Sequence, residues 1–435
     1  MERDLYADLV DWRTSSRRKP LLLRGARQTG KTFLLSQFGD REYEGIVYCN
    51  FEEDPALDGF FRRDLDPRRI VAELSVYKGF DIVPERHLII FDEVQASNRA
   101  LTSLKYFQEQ AGGYHVAAAG SLLGIKMSRP GSFPVGKVSF LDLHPMSFLE
   151  FLRAMEKPRY AELLLGLTEP EPLPKAIHSD LISLLRTYYF VGGMPEAVRN
   201  YAEAGDARST RQIQSEILDS YLLDFAKHAP ATDIPKLGLI WDSIPKHLAK
   251  ENKKFMFSTV KKGARAREYE NALKWLQDAG LVHFCYAVSS SRSPLKHYAD
   301  QSVFKVYALD VGLLGAMART PAEVSVLGDR LFTEYRGALV ESYVAQELVA
   351  GGRPDLFYWR SAGGKAEVDF LYETGRTVVP IEVKAGSSLR SKSLRSYDQR
   401  FAPEVLARSN LLNLKQDGKI LNVPLYAVSL VGRFL

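Results

Sequence analysis

Along this chain the spacing of apolar residues changes several times, and each change predicts an element. Pro20-Leu21-Leu22-Leu23, Gly45 to Glu52, His87 to Phe91 and Tyr114 to Ala119 are short apolar runs that read as buried strands. Phe33 to Phe38 and Leu101 to Gln110 instead carry apolar residues at helical spacing, so strand and helix alternate as in an α/β domain with a parallel sheet. Leu5, Leu9 and Trp12 share one face of a leading amphipathic helix, and Arg17-Arg18-Lys19 after it reads as a solvated cap on the first strand. From about 156 to 230 the spacing is helical, with Gly192-Gly193 as a sharp break, until Ala229-Pro230-Ala231-Thr232-Asp233 interrupts it.

Beyond that interruption the order of elements is that of a winged helix. A helix is predicted over Leu237 to Leu248, a turn region opens at Ser258-Thr259-Val260, and a recognition-type helix covers Glu268 to Ala279. Two wing strands follow, Leu281 to Val288 and Val303 to Ala308, around a Ser-rich loop at 289–293. The last stretch holds a helix over Thr333 to Val349 and strands over Glu367 to Leu371 and Val378 to Lys384. A chain of 435 residues exceeds one ordinary core, and the expected segments are an α/β domain at 1–155, a helical lid at 156–232, the winged-helix module at 233–325 and a carboxyl-terminal domain at 326–435.

Composition narrows the class. With 46% apolar and 26% charged residues the chain is globular. Cys49 and Cys285, the two cysteines, both lie in apolar runs, which excludes a disulfide scaffold and a cysteine metal cluster. Residues 1–19 are too charged for a signal peptide and no run approaches the roughly 20 apolar residues of a membrane span, so a cytoplasmic protein without a membrane partner is expected. A net charge of +5 permits contact with nucleic acid without demanding it. The charge is concentrated: Lys246, Lys250, Lys253, Lys254, Lys261, Lys262, Arg265 and Arg267 face one acid, Glu251, beside the recognition-type helix. That surface suits a DNA backbone; the alternative is a solvated face on a module that packs against its neighbours.

The chemistry starts at Gly25-Ala26-Arg27-Gln28-Thr29-Gly30-Lys31-Thr32, which matches the phosphate-binding loop at every fixed position and lies between a strand and a helix, as that loop must. Glycines at 25 and 30 permit backbone angles closed to other residues, so amide N–H groups can turn inward around a polyphosphate. The loop through Phe33 would bind ATP, with Lys31 as a mobile cation for the β- and γ-phosphates and the Thr32 hydroxyl on Mg²⁺. Asp92 and Glu93 end the apolar strand at 87–91, where Asp92 would hold Mg²⁺ through water and Glu93 would polarise the attacking water. Ser121, at the tip of the next strand, is a candidate sensor of the γ-phosphate; it also reads as a helix N-cap before Leu122-Leu123, and the two roles are compatible. Glu52-Glu53-Asp54 end another strand and read as a loop in preference to a part of the site.

These motifs, together with Gly120-Ser121 and the stretch Pro134 to Leu152, resemble the bacterial and archaeal AAA-type ATPases that carry a carboxyl-terminal domain of unknown function. The resemblance implies that a basic residue after the glycine, here Lys137, contacts phosphate either in its own chain or from a neighbouring subunit of a homo-oligomer. Arg129 is a second candidate.

At the carboxyl end, strand alternation points Glu382 and Lys384 to one face, and Glu367 and Asp369 to one face. With Glu341 on the preceding helix, the pattern resembles the restriction-endonuclease-like fold, in which an acid, a Glu-x-Lys pair and a helical glutamate surround Mg²⁺ and a phosphodiester. By that resemblance Asp369 and Glu382 hold Mg²⁺, Glu341 completes the shell and Lys384 orients or activates water. Arg390, Lys392, Arg395 and Arg400 against Asp398 add a backbone-facing surface. Related folds bind nucleic acid without cutting it, so three functions stay open: an ATP-regulated nuclease, an ATPase that only binds DNA, and an ATP-dependent switch or adaptor acting on a protein partner.

Overall fold

The computed structural model describes residues 1–121, 136–250, 253–320, 336–361, 363–375, 377–388 and 391–435. They form two compact units, one of Met1–His144 with the short turn Asp278–Gly280, the other of Pro145–Gln277 with Leu281–Leu435.

The first unit is built on five parallel strands, β1 (Leu21–Gly25), β2 (Gly45–Asn50), β3 (His87–Asp92), β4 (His115–Ser121) and β5 (Ser139–Asp142), in the order β2-β3-β4-β1-β5. The apolar runs are continuous because both faces of the sheet are covered. Leu21, Leu23, Leu88, Ile90, Ala117 and Ala119 pack with Leu9 and Trp12 of α1 (Leu5–Thr14) and with Leu34, Leu35 and Phe38 of α2 (Lys31–Glu42). Leu22, Ile89, Phe91, Val116 and Ala118 face the other way, onto Ile70, Val71 and Leu74 of α3 (Pro67–Lys78) and Leu101, Leu104 and Phe107 of α4 (Asn98–Gln110). Each such leucine contributes about 2 kcal/mol by leaving water. Asp66 caps α3 through Arg68 N (2.9 Å) and Ser97 caps α4 through Ala100 N (3.1 Å), which fixes where these helices begin.

The second unit opens with α5 (Phe148–Ala154), α6 (Pro158–Leu165), α7 (Lys175–Val191), α8 (Pro195–Ala204), α9 (Ala207–His228), α10 (Ile234–Leu248), α11 (Phe257–Val260) and α12 (Ala266–Asp278). The hairpin β6 (Val282–Val288) and β7 (Ala299–Ala308) and the helix α13 (Val311–Met317) follow. Then come α14 (Arg336–Ala350), β8 (Leu356–Arg360), β9 (Glu367–Glu373), β10 (Val378–Val383), α15 (Lys392–Phe401), β11 (Leu406–Asn410), β12 (Lys415–Asp417) and β13 (Ile420–Pro424). Among the described residues no helix is long and apolar enough to cross a membrane.

Helices α10 and α12 are followed by the β6–β7 hairpin, but the hairpin is no free wing. Cys285 to Val288 pair in parallel with Leu356 to Trp359 of β8, so one eight-stranded sheet, β12-β13-β11-β10-β9-β8-β6-β7, runs through segments expected to be separate at 325/326. The residues of β6 explain this, since Val282, Phe284, Cys285, Ala287 and Val288 are all buried, more than a strand with one wet face would need.

The expected break between helices at Gly192-Gly193 is present and is also a packing knot. Gly192 has φ +72°, and an added Cβ there would lie 2.2 Å from Asp310 Oδ1. Asp310 is fully buried and accepts from Gly193 N (2.6 Å), Leu313 N (2.9 Å) and Gln346 Nε2 (3.1 Å), while Gln346 also donates to Tyr188 Oη (2.8 Å). These bonds join helix α7, the α13 turn and α14 within the second unit.

Candidate functional site

The loop between β1 and α2 lies at the carboxyl edge of the five-stranded sheet. Gly30 has φ 91° directly before α2, and Gln28 also takes a positive φ of 63°. Gly25 differs from expectation, because it does not occupy the left-handed region. Close approach is what requires glycine there: an added Cβ would lie 2.3 Å from the Leu143 carbonyl oxygen.

The loop carbonyls are engaged by protein donors. Lys31 Nζ donates to Gly25 O (3.1 Å) and Ala26 O (2.9 Å), Thr29 Oγ1 donates to Ala26 O (2.9 Å), and Arg3 donates to Thr29 O (2.9 Å). Phe33 is 56% exposed on the first turn of α2. Arg27 lies 3.8 Å from Glu52, so the first of the three acids read as a loop lies beside the phosphate-binding loop.

Asp92 ends β3 next to this loop and is buried. Its Oδ2 accepts from Thr32 Oγ1 (2.8 Å) and from Tyr48 Oη (2.7 Å), and its Oδ1 accepts from Glu93 N (3.0 Å). A hydroxyl and a carboxylate side by side are the hard-oxygen pair Mg²⁺ takes in nucleotide sites, so these residues fit that ion. Tyr48, on β2, was not among the sequence candidates; nothing local marks it, since its reach to Asp92 depends on β2 lying beside β3. Burial and the Asp92 bond both push its phenol up. Glu93 takes a left-handed backbone (φ 47°) and its carboxylate accepts from the Gln95 amide.

Ser121 pairs in register with Gly25, so the structure brings it to the loop with Lys31, Thr32 and Asp92. Lys137 is not brought there. It precedes Ser139, which pairs with Leu21 at the start of β1, and it bridges to Glu109 (2.9 Å). Because β5 runs parallel to β1, residues before it sit at the amino edge of the sheet, four strand residues or about 13 Å from the loop. Phosphate contact by Lys137 within its own chain is therefore corrected to absent. Arg129 lies outside the described residues.

In the second unit, Glu341, Asp369, Glu382 and Lys384 converge, together with three residues the sequence reading gave no place in the site: Lys253, Lys305 and Tyr307. Glu341 accepts from Lys253 and from Tyr307 Oη (3.2 Å), with Lys305 Nζ at 3.8 Å. Lys305, on β7 and 1% exposed, lies 2.6 Å from Glu367. Lys384 lies 2.7 Å from Glu382 Oε1, whose Oε2 accepts from Leu394 N (3.2 Å); Asp369 Oδ2 accepts from Val383 N (2.8 Å). Burial alone would raise the Glu341 carboxyl, but Lys253 and Lys305 outweigh it and hold the group low. Burial, then the Glu341 charge, push Asp369 up to about 7.

Divalent metal does not fit this arrangement. Glu341, Glu367 and Glu382 are each paired with an ammonium group, from Lys253, Lys305 and Lys384, so their charge is already balanced. Among the described residues no group of three or more His, Cys, Asp or Glu is disposed to hold an ion. The expected Mg²⁺ shell of Asp369, Glu382 and Glu341 is thus not assembled, because lysines stand in the cation positions. Lys253 is correspondingly withdrawn from the basic stripe, whose Lys246, Lys250, Lys261, Lys262, Arg265 and Arg267 are exposed. On α15, Lys392, Arg395 and Arg400 are exposed as well; Glu251 and Arg390 lie outside the described residues.

Comparison with known proteins finds family matches over three stretches of the chain. Residues 17–152 match the family described as AAA domain, residues 182–324 a domain of unknown function (DUF8612), and residues 336–426 another (DUF4143). No curated protein matches. Among solved structures, the Walker-type ATPase of Pyrococcus abyssi is similar over 73% of this chain and 95% of its own, at 13% identity and a TM-score of 0.45. The Orc1 protein of Aeropyrum pernix, in complex with DNA, is similar over 74% and 92%, at 13% identity and a TM-score of 0.30. Both likenesses are remote, and it is the family match, the strand order and the loop that settle the first unit: residues 17–152 are an AAA-type P-loop ATPase domain.

Proposed function

We propose that the loop at 25–33 binds ATP and that the chain couples its hydrolysis to a nuclease-like, DNA-binding carboxyl-terminal domain that does not cleave in the arrangement described. The observation that carries the first part is the touching pair of Thr32 and Asp92 beside a loop whose Lys31 lies against its own Gly25 and Ala26 carbonyls. In this reading Lys31 leaves the Gly25 and Ala26 carbonyls to meet the β- and γ-phosphates, and Ser121 senses the γ-phosphate from the adjoining strand tip. Glu93 orients the attacking water and accepts its proton. Thr32 and Asp92 would hold Mg²⁺, which would supply positive charge to offset that of the phosphates.

For the second part, the order of α14, three antiparallel strands, α15 and a parallel β11 supports the restriction-endonuclease-like reading, with Asp369 on β9 and Glu382 and Lys384 at β10. The exposed stripe near 246–267 and the outer side of α15 supply cations for a phosphate backbone. The lysine pairing of the carboxylates favours binding over cutting, and it equally suits the second reading, an ATP-dependent switch on a protein partner with this domain inactive. Any role for Lys137 in hydrolysis needs a second copy of the chain.

The test takes full-length protein and Lys31→Ala through ATP hydrolysis, then through DNA binding at rising salt with and without ATP, and plasmid cleavage with Mg²⁺. Hydrolysis lost in Lys31→Ala, with DNA binding that weakens steeply with salt and no cleavage, is the expected result. Mg²⁺-dependent cutting abolished by Lys384→Ala would overturn the non-cleaving part; absence of salt-sensitive binding would move the function to a protein partner.

A further inference from the structure

We infer that Arg3 is a positioning residue of the nucleotide site, holding the peptide between Thr29 and Gly30 so that the Gly30 N–H faces the phosphates, and tying that peptide to the chain at His144. This rests on the ATP reading of the loop. Arg3 lies well outside the motif, yet it is only 7% exposed, and its two terminal nitrogens serve two carbonyls: Nη1 donates to Thr29 O (2.9 Å) and Nη2 to His144 O (2.6 Å). A guanidinium fork gives each carbonyl its own nitrogen, where an ammonium would have to serve both from one atom.

The placement of Arg3 is built in. Its own carbonyl accepts from Tyr6 N (3.0 Å) at the start of α1, and that helix is fixed by Leu9 and Trp12 in the core. At the far end of α2, Glu42 accepts from Tyr6 Oη (2.9 Å) and Arg13 Nη1 (2.9 Å). Helix α1 is thereby tied to α2 at one end and to the loop before α2 at the other.

What the contact does follows from peptide geometry. A peptide is planar, with C=O and N–H on opposite sides, so a donor fixed on the Thr29 carbonyl fixes the direction of the Gly30 N–H. Gly30 would otherwise be among the least restrained residues of the loop. A charged donor on the carbonyl also polarises the peptide and strengthens its N–H as an anion donor. Thr29 is fully buried, so the guanidinium takes the place water would have on an exposed loop. When Lys31 turns to the phosphates, the Arg3 contact on the Thr29 carbonyl stays, as does that of Thr29 Oγ1 on the Ala26 carbonyl. The second carbonyl, at His144, ends the segment in which Leu143 N donates to Arg24 O (2.7 Å) and Leu143 O abuts Gly25.

The experiment compares full-length wild type, Arg3→Ala and Arg3→Lys in binding of a fluorescent ADP analogue, in steady-state ATP hydrolysis and in thermal melting without nucleotide. Arg3→Ala is expected to raise the Kd for ADP and the KM for ATP about tenfold, the scale of one charged hydrogen bond, with kcat within about twofold. Arg3→Lys, which keeps the charge without the two-nitrogen fork, falls between, and added methylguanidinium restores Arg3→Ala towards wild type. An unchanged Kd in Arg3→Ala overturns the inference. So does a loss that tracks nucleotide-free melting and ignores methylguanidinium, which would make Arg3 a structural tie alone. If wild type itself bound no nucleotide, or bound it as Lys31→Ala does, the ATP reading would fail instead.

Discussion

Asp92 and Glu341 are both buried carboxylates, yet they keep different company. Asp92 is met by the hydroxyls of Thr32 and Tyr48 and by a backbone N–H, all neutral donors that orient it without cancelling its charge. Glu341 is met by two ammonium groups, Lys253 and Lys305, as well as by the Tyr307 hydroxyl. A buried charge needs compensation, and the two regions differ in what meets it: at the loop the donors are neutral, and at the carboxyl end ammonium groups of the chain itself supply the balance. The acidic residues alone do not separate these cases; their donors do.

Lys305→Met should give the largest effect. Removing it leaves Glu341 and Glu367 short of a partner and should cost about 3 kcal/mol of stability by denaturant unfolding, with KM for ATP unchanged. Full recovery of that loss by Mg²⁺ alone would break the contrast, since metal would then replace the lysine. Next in size is a pH effect at Asp369, whose carboxyl is raised from 3.8 to about 7. Native protein keeps this proton over a range where the unfolded chain has lost it, so the group's contribution is complete below about pH 4 and is lost as pH rises through 7. Asp369→Asn should melt like wild type near pH 4 and above it at pH 8; equal melting at both ends would refute the shift.

Tyr48→Phe removes one neutral donor from Asp92 and should lower ATP hydrolysis several-fold, with a stability change of about 1 kcal/mol. Unaltered hydrolysis would mean Thr32 and the Glu93 N–H suffice to orient the carboxylate. The smallest effect belongs to Lys137→Ala, which should leave nucleotide affinity within about twofold of wild type, because Lys137 sits at the opposite edge of the sheet. A tenfold loss that grows with protein concentration would mean that the site is completed by another copy.

The nucleotide loop was legible because its determinants are contiguous: one strand, eight residues and one helix carry the geometry, and Gly30 does take the left-handed angle its position suggested. Gly25 was legible as a glycine but not for its reason, since Leu143 comes from the other end of the unit. Arg3, Tyr48 and Lys305 reach their sites only through packing between distant segments, and no spacing rule marks them. The expectation for Lys137 foundered on direction: the glycine and the basic residue were visible, whereas the edge of the sheet they occupy follows from β5 running parallel to β1. Lys253, read as one charge in a stripe, shows the same limit, because composition counts charges without saying which are already spent.

The pairing of β6 with β8 has a practical consequence for anyone who would dissect this chain. The two matched regions on either side of residue 325 look like interchangeable cassettes, but expressing either alone would strip a neighbour from a buried strand and leave a bare ladder edge open to self-association. Truncations at that seam would report on aggregation before they reported on function, and point substitutions in the intact chain are the sounder instrument.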